Sequence, residues 1–240
     1  MYAAPAVRAS PILTAMAGVV GLWGASVRSY LMEFIGTFGL VFTIGASLYS
    51  QSPLAPLGIG SVLMVLVFAG GHISGAHYNP AITLGVLIRG RIRTSDVAPY
   101  MVAQLAGGVL GAAVARVMVN PGDLTALSFS GREIVTALIA EFVFTFLLVF
   151  VMLNVATSKD HPNNSFYGLA IGFTVTAGAI AVGSLSGAAF NPAVAVGVMV
   201  AGLLSWSTIW IYLLANLVAG AVAGYAFRVL NPDNLEPLAD

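Results

Sequence analysis

The chain has 240 residues, of which 59% are hydrophobic and only 8% charged, with a mean hydropathy of +0.96. That balance lies well outside soluble globular averages and places the protein in the membrane class. Its formal net charge is zero and it has no cysteine, so nothing points to nucleic acid, and disulfides, thiol catalysis and Cys-ligated metal are excluded.

Residues 1–28 come first. Segment 11–25 is apolar and follows Arg8; it reads as a cytoplasmic or interfacial helix, with a cleaved leader as the alternative. A bilayer core about 30 Å thick needs about 20 apolar residues per spanning helix. Six stretches qualify, at 29–50, 57–72, 97–119, 131–154, 166–185 and 206–229. Two shorter apolar stretches, 79–88 and 191–201, reach only about 15 Å each at the helical rise. They read as re-entrant half-helices. Residues 231–240 form a polar tail with no evident role.

The halves repeat. Asn79-Pro80-Ala81 returns 112 positions later as Asn191-Pro192-Ala193, and Ser74-Gly75-Ala76 returns as Ser186-Gly187-Ala188. The same offset joins Tyr100 to Tyr212, Leu105 to Leu217 and Gly108 to Gly220. Three spans per half is an odd number, so the second copy must be inverted. The expected organisation is an all-α membrane domain, 29–230, built from inverted repeats 29–120 and 131–230. With the N-terminus inside, the inner segments hold Arg8, Arg28, Arg89, Arg91, Arg93, Lys159 and Arg228, against Arg116 and Arg132 outside. That asymmetry predicts both termini in the cytoplasm, and the expected location is the plasma membrane.

An Asn-Pro pair is a natural helix start, because Asn caps with its side-chain oxygen and Pro presets the first turn. One copy would mean no more than that. Two copies, each opening a half-span from opposite faces, bring two helix N-termini together near mid-membrane. Each carries about half a positive charge. With each Asn oxygen acting as cap, its amide NH₂ is expected to be free to donate into the space between. Such a centre attracts polar neutral molecules and repels cations, protons included. The segments leading in, Gly75-Ala76-His77-Tyr78 and Gly187-Ala188-Ala189-Phe190, could line a pore with backbone carbonyls, since non-helical backbone at membrane depth must be buried or face a wet cavity.

These two loops resemble the signature loops of the aquaporin (major intrinsic protein) family, and Glu33-Phe34-Ile35-Gly36-Thr37-Phe38 resembles its first-helix motif. The resemblance covers roughly residues 28–230. It implies an aquaporin-like fold of six transmembrane helices plus two half-helices, a homotetramer of channels, and passive flow of water. It also maps a four-residue selectivity filter onto Ile59, Ala179, Ala188 and Val194. Water-selective members usually carry arginine at the last of these and often histidine at the second; this chain has neither. The expected filter is apolar and uncharged, wider than a strict water channel. Small neutral solutes such as ammonia, hydrogen peroxide, urea or glycerol become expected additions. Glycerol channels of the family usually keep the arginine, follow it with aspartate and place aromatics at the filter, so a dedicated glycerol facilitator fits less well.

Glu33 and Glu141 are the acids inside the predicted spans, at equivalent places in the two halves. A carboxylate there is expensive without a partner or a function. The structural expectation is that each accepts N–H groups from the neighbouring loop. The competing reading is an ion-coupled secondary transporter that uses both as coupling sites. By analogy with the family, His77 lines the pore. His72 and His77 lack a third ligand for a metal site, and His161 lies in a polar loop. Gln104 and Asn216 are a repeat-related pair expected to bond between helices, and the small residues around them point to close helix crossing. No enzyme constellation, phosphate loop or cofactor motif is present.

Overall fold

The computed structural model describes residues 25–122 and 125–235. Residues 11–24 of the expected helix or leader, and residues 236–240 of the polar tail, lie outside that range. Eight helices follow one another: α1 (Ala25–Tyr49), α2 (Ala55–Ser74), α3 (Pro80–Arg89), α4 (Thr94–Val119), α5 (Arg132–Thr157), α6 (Tyr167–Ser186), α7 (Pro192–Val200) and α8 (Ile209–Leu230). Six of them are long and apolar enough to cross a membrane; α3 and α7 are the short ones, about 15 Å each. The described residues contain no strand, only an isolated bridge between Leu127 and Leu204.

Several boundaries differ from the expected spans, two of them by an added polar turn at a helix start. Helix α1 begins at Ala25 and not at 29, and α4 begins at Thr94 and not at 97. Both extra turns carry polar or charged residues that hydropathy excludes. They are helical because those residues find partners: Arg93 bridges Asp96 at 2.8 Å and reaches Ser26 Oγ at 2.9 Å, while Tyr30 Oη donates to the same Asp96 at 2.6 Å.

Packing interleaves the halves. Helix α1 lies on α4 and α2, α5 lies on α8 and α6, and α2 meets α6 between them. The half-helices cross over: α3 packs on α8, and α7 packs on α4. Glycines permit these approaches. A Cβ on Gly107 or Gly111 would strike the carbonyl oxygens of Phe34 or Phe38 on α1, and one on Gly108 would stand 2.8 Å from the Ala193 carbonyl oxygen. Its repeat mate Gly220 sits in the same way against the Ala81 carbonyl. In a membrane such crossings replace the hydrophobic drive that lipid removes. The outer faces keep large apolar side chains exposed, among them Val102, Ile139, Ile180 and Leu214, as lipid-facing surfaces should.

The α1–α2 connection, 50–54, and the α5–α6 connection, 158–166, are the unequal parts of the two halves. The second is longer by four residues. Asn234, buried beyond α8, pins it by accepting from Lys159 N at 2.7 Å and donating to Asp160 Oδ2 at 2.8 Å.

Candidate functional site: a narrow conduit between two half-helices

Each triplet starts its half-helix for a local reason. Asn79 and Asn191 lie in extended backbone, and their Oδ1 atoms accept from Ala81 N at 2.8 Å and Ala193 N at 2.9 Å. Pro80 and Pro192 take the first helical position, where the missing N–H would have no partner in any case.

The loops ahead of them share one backbone. Gly75 and Gly187 have φ of 83°, Ala76 and Ala188 51°, Tyr78 and Phe190 49°. The four non-glycine residues sit in the left-handed region at a cost on the order of 1 kcal/mol each. Buried carboxylates hold them there. Glu33 Oε1 accepts from Ser74 Oγ (2.6 Å) and His77 N (3.0 Å); its Oε2 accepts from Tyr78 N (2.6 Å) and Gln104 Nε2 (2.7 Å). Glu141 repeats the pattern with Ser186 Oγ (2.7 Å), Ala189 N (3.0 Å) and Phe190 N (2.7 Å). In the amide orientation that satisfies both of its ends, Asn216 donates to Glu141 Oε2 at 3.1 Å and accepts from Asn191 N at 2.9 Å. Tyr100 and Tyr212 close each loop by donating to Ser74 O and Ser186 O. All four oxygens of the two glutamates are thus engaged by loop or helix donors, an arrangement that leaves nothing over for ion coupling.

The asparagine amides are not wholly free, which corrects the expectation. Asn79 Nδ2 donates to Phe190 O at 2.9 Å, and Asn191 Nδ2 donates to Tyr78 O at 2.8 Å. The reason is that each loop's last carbonyl turns toward the opposite triplet. One amide hydrogen of each Asn ties the halves together, and the second remains for the cavity both residues line. Tyr78 O and Phe190 O are consequently occupied, whereas no described donor reaches the carbonyls of Gly75, Ala76 and His77 or of Gly187, Ala188 and Ala189.

A cavity of about 30 Å³ runs past the two asparagines, room for one or two waters. Of the four filter positions inferred from sequence, Ile59, Ala188 and Val194 line it; Ala179 does not, and Val175, one turn earlier on α6, lines it instead. His77 lines this cavity and also a wide vestibule of about 670 Å³, so it stands at their junction. Its Nδ1 lies 3.1 Å from Thr83 Oγ1. That hydroxyl has one hydrogen, aimed at Asn79 O (3.1 Å), and already accepts from Gln104 Nε2 (3.0 Å). Nδ1 must therefore be the donor, which leaves Nε2 for whatever passes the ring. His72 and His161 line the vestibule as well. The described residues hold no group of three metal-ligating side chains.

Sequence reasoning passed over several contributors. Tyr49 Oη (2.7 Å) and Arg116 Nη1 (3.2 Å) both donate to Ala201 O at the end of α7, and Arg228 Nη1 donates to Ile88 O at 2.9 Å at the end of α3. The signal was available, because Arg116 and Arg228 obey the repeat offset.

Comparison with known proteins agrees with this architecture. The sequence profile of the Major intrinsic protein (MIP) family matches residues 24–227. The glycerol uptake facilitator protein-like 6 of Lactiplantibacillus plantarum is 35% identical over 217 residues, covering 87% of this chain and 100% of that protein. Aquaporin NIP1-1 of Oryza sativa subsp. japonica is 36% identical over 230 residues, with 89% and 78% covered. Nodulin-26 of Glycine max is 37% identical over 209 residues, with 82% and 75% covered. Among solved structures, the aquaglyceroporin from Plasmodium falciparum superposes with a TM-score of 0.73 at 21% identity, covering 86% of this chain and 98% of its own, a likeness of fold. The chain belongs to the major intrinsic protein family.

Proposed function

We propose that this member of the major intrinsic protein family conducts water in single file past Asn79 and Asn191, and admits small neutral solutes through an apolar filter lined by Ile59, Val175, Ala188 and Val194. It is a passive channel and not an enzyme. The observation that carries the pathway is the 30 Å³ cavity at the meeting point of the two half-helices, lined by both asparagines. A water held there accepts from the remaining amide hydrogens of Asn79 and Asn191. Its own hydrogens then point away from the centre, toward the open carbonyls of each loop, and a proton wire is broken at that point. The N-termini of α3 and α7 add about half a positive charge each, so a cation meets a like field just where it would have to lose its hydration.

The solute range follows from the lining. Ile59, Val194 and Ala188 offer no charge and no side-chain hydrogen bond, so discrimination rests on width and on the cost of dehydration. Ammonia, hydrogen peroxide, urea and glycerol are the candidate solutes beside water. Several relatives support that range by name, one being called a glycerol uptake facilitator protein-like protein and others aquaporins. The channel assembles as a homotetramer, with both termini in the cytoplasm of the plasma membrane.

Stopped-flow swelling of proteoliposomes tests the reading, with water, ammonia, peroxide, urea and glycerol measured on the unmodified protein. Large, weakly temperature-dependent fluxes that ignore ion gradients are expected. Flux that appears only with a proton or sodium gradient would overturn it.

A further inference from the structure

The two re-entrant loops share a backbone but differ in what it carries. Both take the same left-handed turns, and Glu33 and Glu141 hold them through equivalent bonds. At the repeat offset, however, His77 corresponds to Ala189 and Thr83 to Ala195. The second loop keeps its shape with neither an imidazole nor a hydroxyl at those places. The His77–Thr83 pair is therefore not needed to build such a loop, and its role lies with what passes.

The His77 ring has little freedom. It is 5% exposed, and Tyr100, itself tied to Ser74 O, packs against it with ring centroids 5.2 Å apart. Its Nδ1 lies 3.1 Å from Thr83 Oγ1. That oxygen accepts from Gln104 Nε2 at 3.0 Å and gives its one hydrogen to Asn79 O at 3.1 Å. Gln104 is fixed in turn by Glu33 Oε2 at 2.7 Å. A neutral imidazole carries one N–H, and this chain of donors keeps it on Nδ1. Gly75 leaves the other edge clear, since a Cβ there would stand 3.2 Å from Nε2.

The bare Nε2 has no rival in the narrow cavity. Asn79 and Asn191 spend their side-chain oxygens as helix caps and offer amide hydrogens. The Tyr78 hydroxyl donates to Leu66 O. Every other side chain lining that cavity is hydrocarbon. We infer that Thr83 is a positioning residue for conduction: it holds the His77 hydrogen on Nδ1, so that Nε2 receives the hydrogens that the central amides turn outward. The inference rests on the channel reading above and adds to its apolar filter one station that favours neutral molecules with an N–H or O–H to give, such as water, ammonia and urea. Without the Thr83 hydroxyl, Nδ1–H would be buried with no acceptor, a cost that moves the hydrogen to Nε2. Donors would then face donors across room for one or two waters.

Two readouts test this on full-length protein in proteoliposomes. Solid-state NMR of isotope-labelled histidine shows which ring nitrogen carries the hydrogen, with His72→Gln and His161→Gln leaving His77 as the single labelled ring. Hydrogen on Nδ1 is expected with Thr83 and with Thr83→Ser, and hydrogen on Nε2 with Thr83→Val. Stopped-flow water and urea fluxes should fall up to about tenfold in Thr83→Val, as the loss of one hydrogen bond per passing molecule predicts, and Thr83→Ser should restore them. The NMR signature does not depend on transport, so a wrong channel reading shows separately, as absent flux in the unmodified protein. Hydrogen on Nε2 of the unmodified ring overturns the positioning role and needs no variant that might fold poorly. A ring unmoved by Thr83→Val, or fluxes unmoved when the ring changes, overturns it as well.

Discussion

Arg116 and Arg228 stand 112 residues apart and cap opposite half-helices, Arg116 at the Ala201 carbonyl that ends α7 and Arg228 at the Ile88 carbonyl near the end of α3. A cation at a helix C-terminus offsets the negative end of the dipole. Each short helix is therefore fixed at both ends, by its Asn at mid-membrane and by an arginine at the surface. A half-helix has too few residues to be stable by itself, so the end contacts set its depth.

Replacing Arg116 or Arg228 by Met should each lower stability by about 0.5–1 kcal/mol. The double variant should lose the sum, because the two caps act on separate helices. Thermal unfolding of the three variants is the check. A double variant no worse than either single would mean that the caps are not independent.

Glu33→Gln places an NH₂ at an oxygen that now accepts from one backbone N–H and from either the Ser74 hydroxyl or the Gln104 amide, and Glu141→Gln does the same in the other half. Either change leaves buried donors facing each other, at a cost of about 1–3 kcal/mol per unsatisfied group. Water flux should collapse in both, with or without a pH gradient. A variant that kept full water flux and lost only a gradient-dependent component would restore the coupled-transport reading.

Val194→Arg adds a fixed charge and bulk beside Ile59 and Ala188. Urea and glycerol fluxes should fall while water flux survives, measured on one batch of proteoliposomes. Solute fluxes that stay at the unmodified level would move the constriction elsewhere.

Asn79→Asp and Asn191→Asp each set a carboxylate at a positive helix terminus and remove the donor to the opposite loop. Cation conductance in planar bilayers should rise above background in each. Background conductance in both would show that the dipoles are not the principal barrier.

Gly220→Val drives a side chain into the Ala81 carbonyl, and Gly108→Val drives one toward the Ala193 carbonyl at 2.8 Å from Cβ. Overpacking of this kind costs about 1–3 kcal/mol or more. Both variants should lose monodispersity in detergent, whereas Gly58→Ala, with open space around it, should behave as the unmodified protein.

Much of the architecture was legible because it is local or periodic. The six spans announce themselves by length and hydropathy, and the two triplets by Asn-Pro chemistry repeated at one offset. Glu33 and Glu141 stand out because carboxylates are rare in apolar sequence. What stayed hidden depends on contacts across the halves. The bond from Asn79 to Phe190 O links positions 111 residues apart, and no property of Asn79 alone signals it. Gln104 could be seen as an interhelical residue, but not that it orients His77 through Thr83. The repeat itself misleads slightly, because Glu33 and Glu141 are 108 apart and not 112; the four-residue difference is the longer 158–166 connection. Asn234, from a tail without sequence signal, helps to hold that connection at the vestibule wall.

The exchanged ties between the triplets have a consequence for biosynthesis. A ribosome that has delivered only α1 to α4 has released a bundle whose first loop lacks the donor from Asn191 and whose α3 lacks the bed that Gly220 provides. Neither half is a finished object, and maturation waits for the last helix to enter the bilayer. A chain severed between α4 and α5 should therefore acquire protease resistance only when both pieces are made in the same cell.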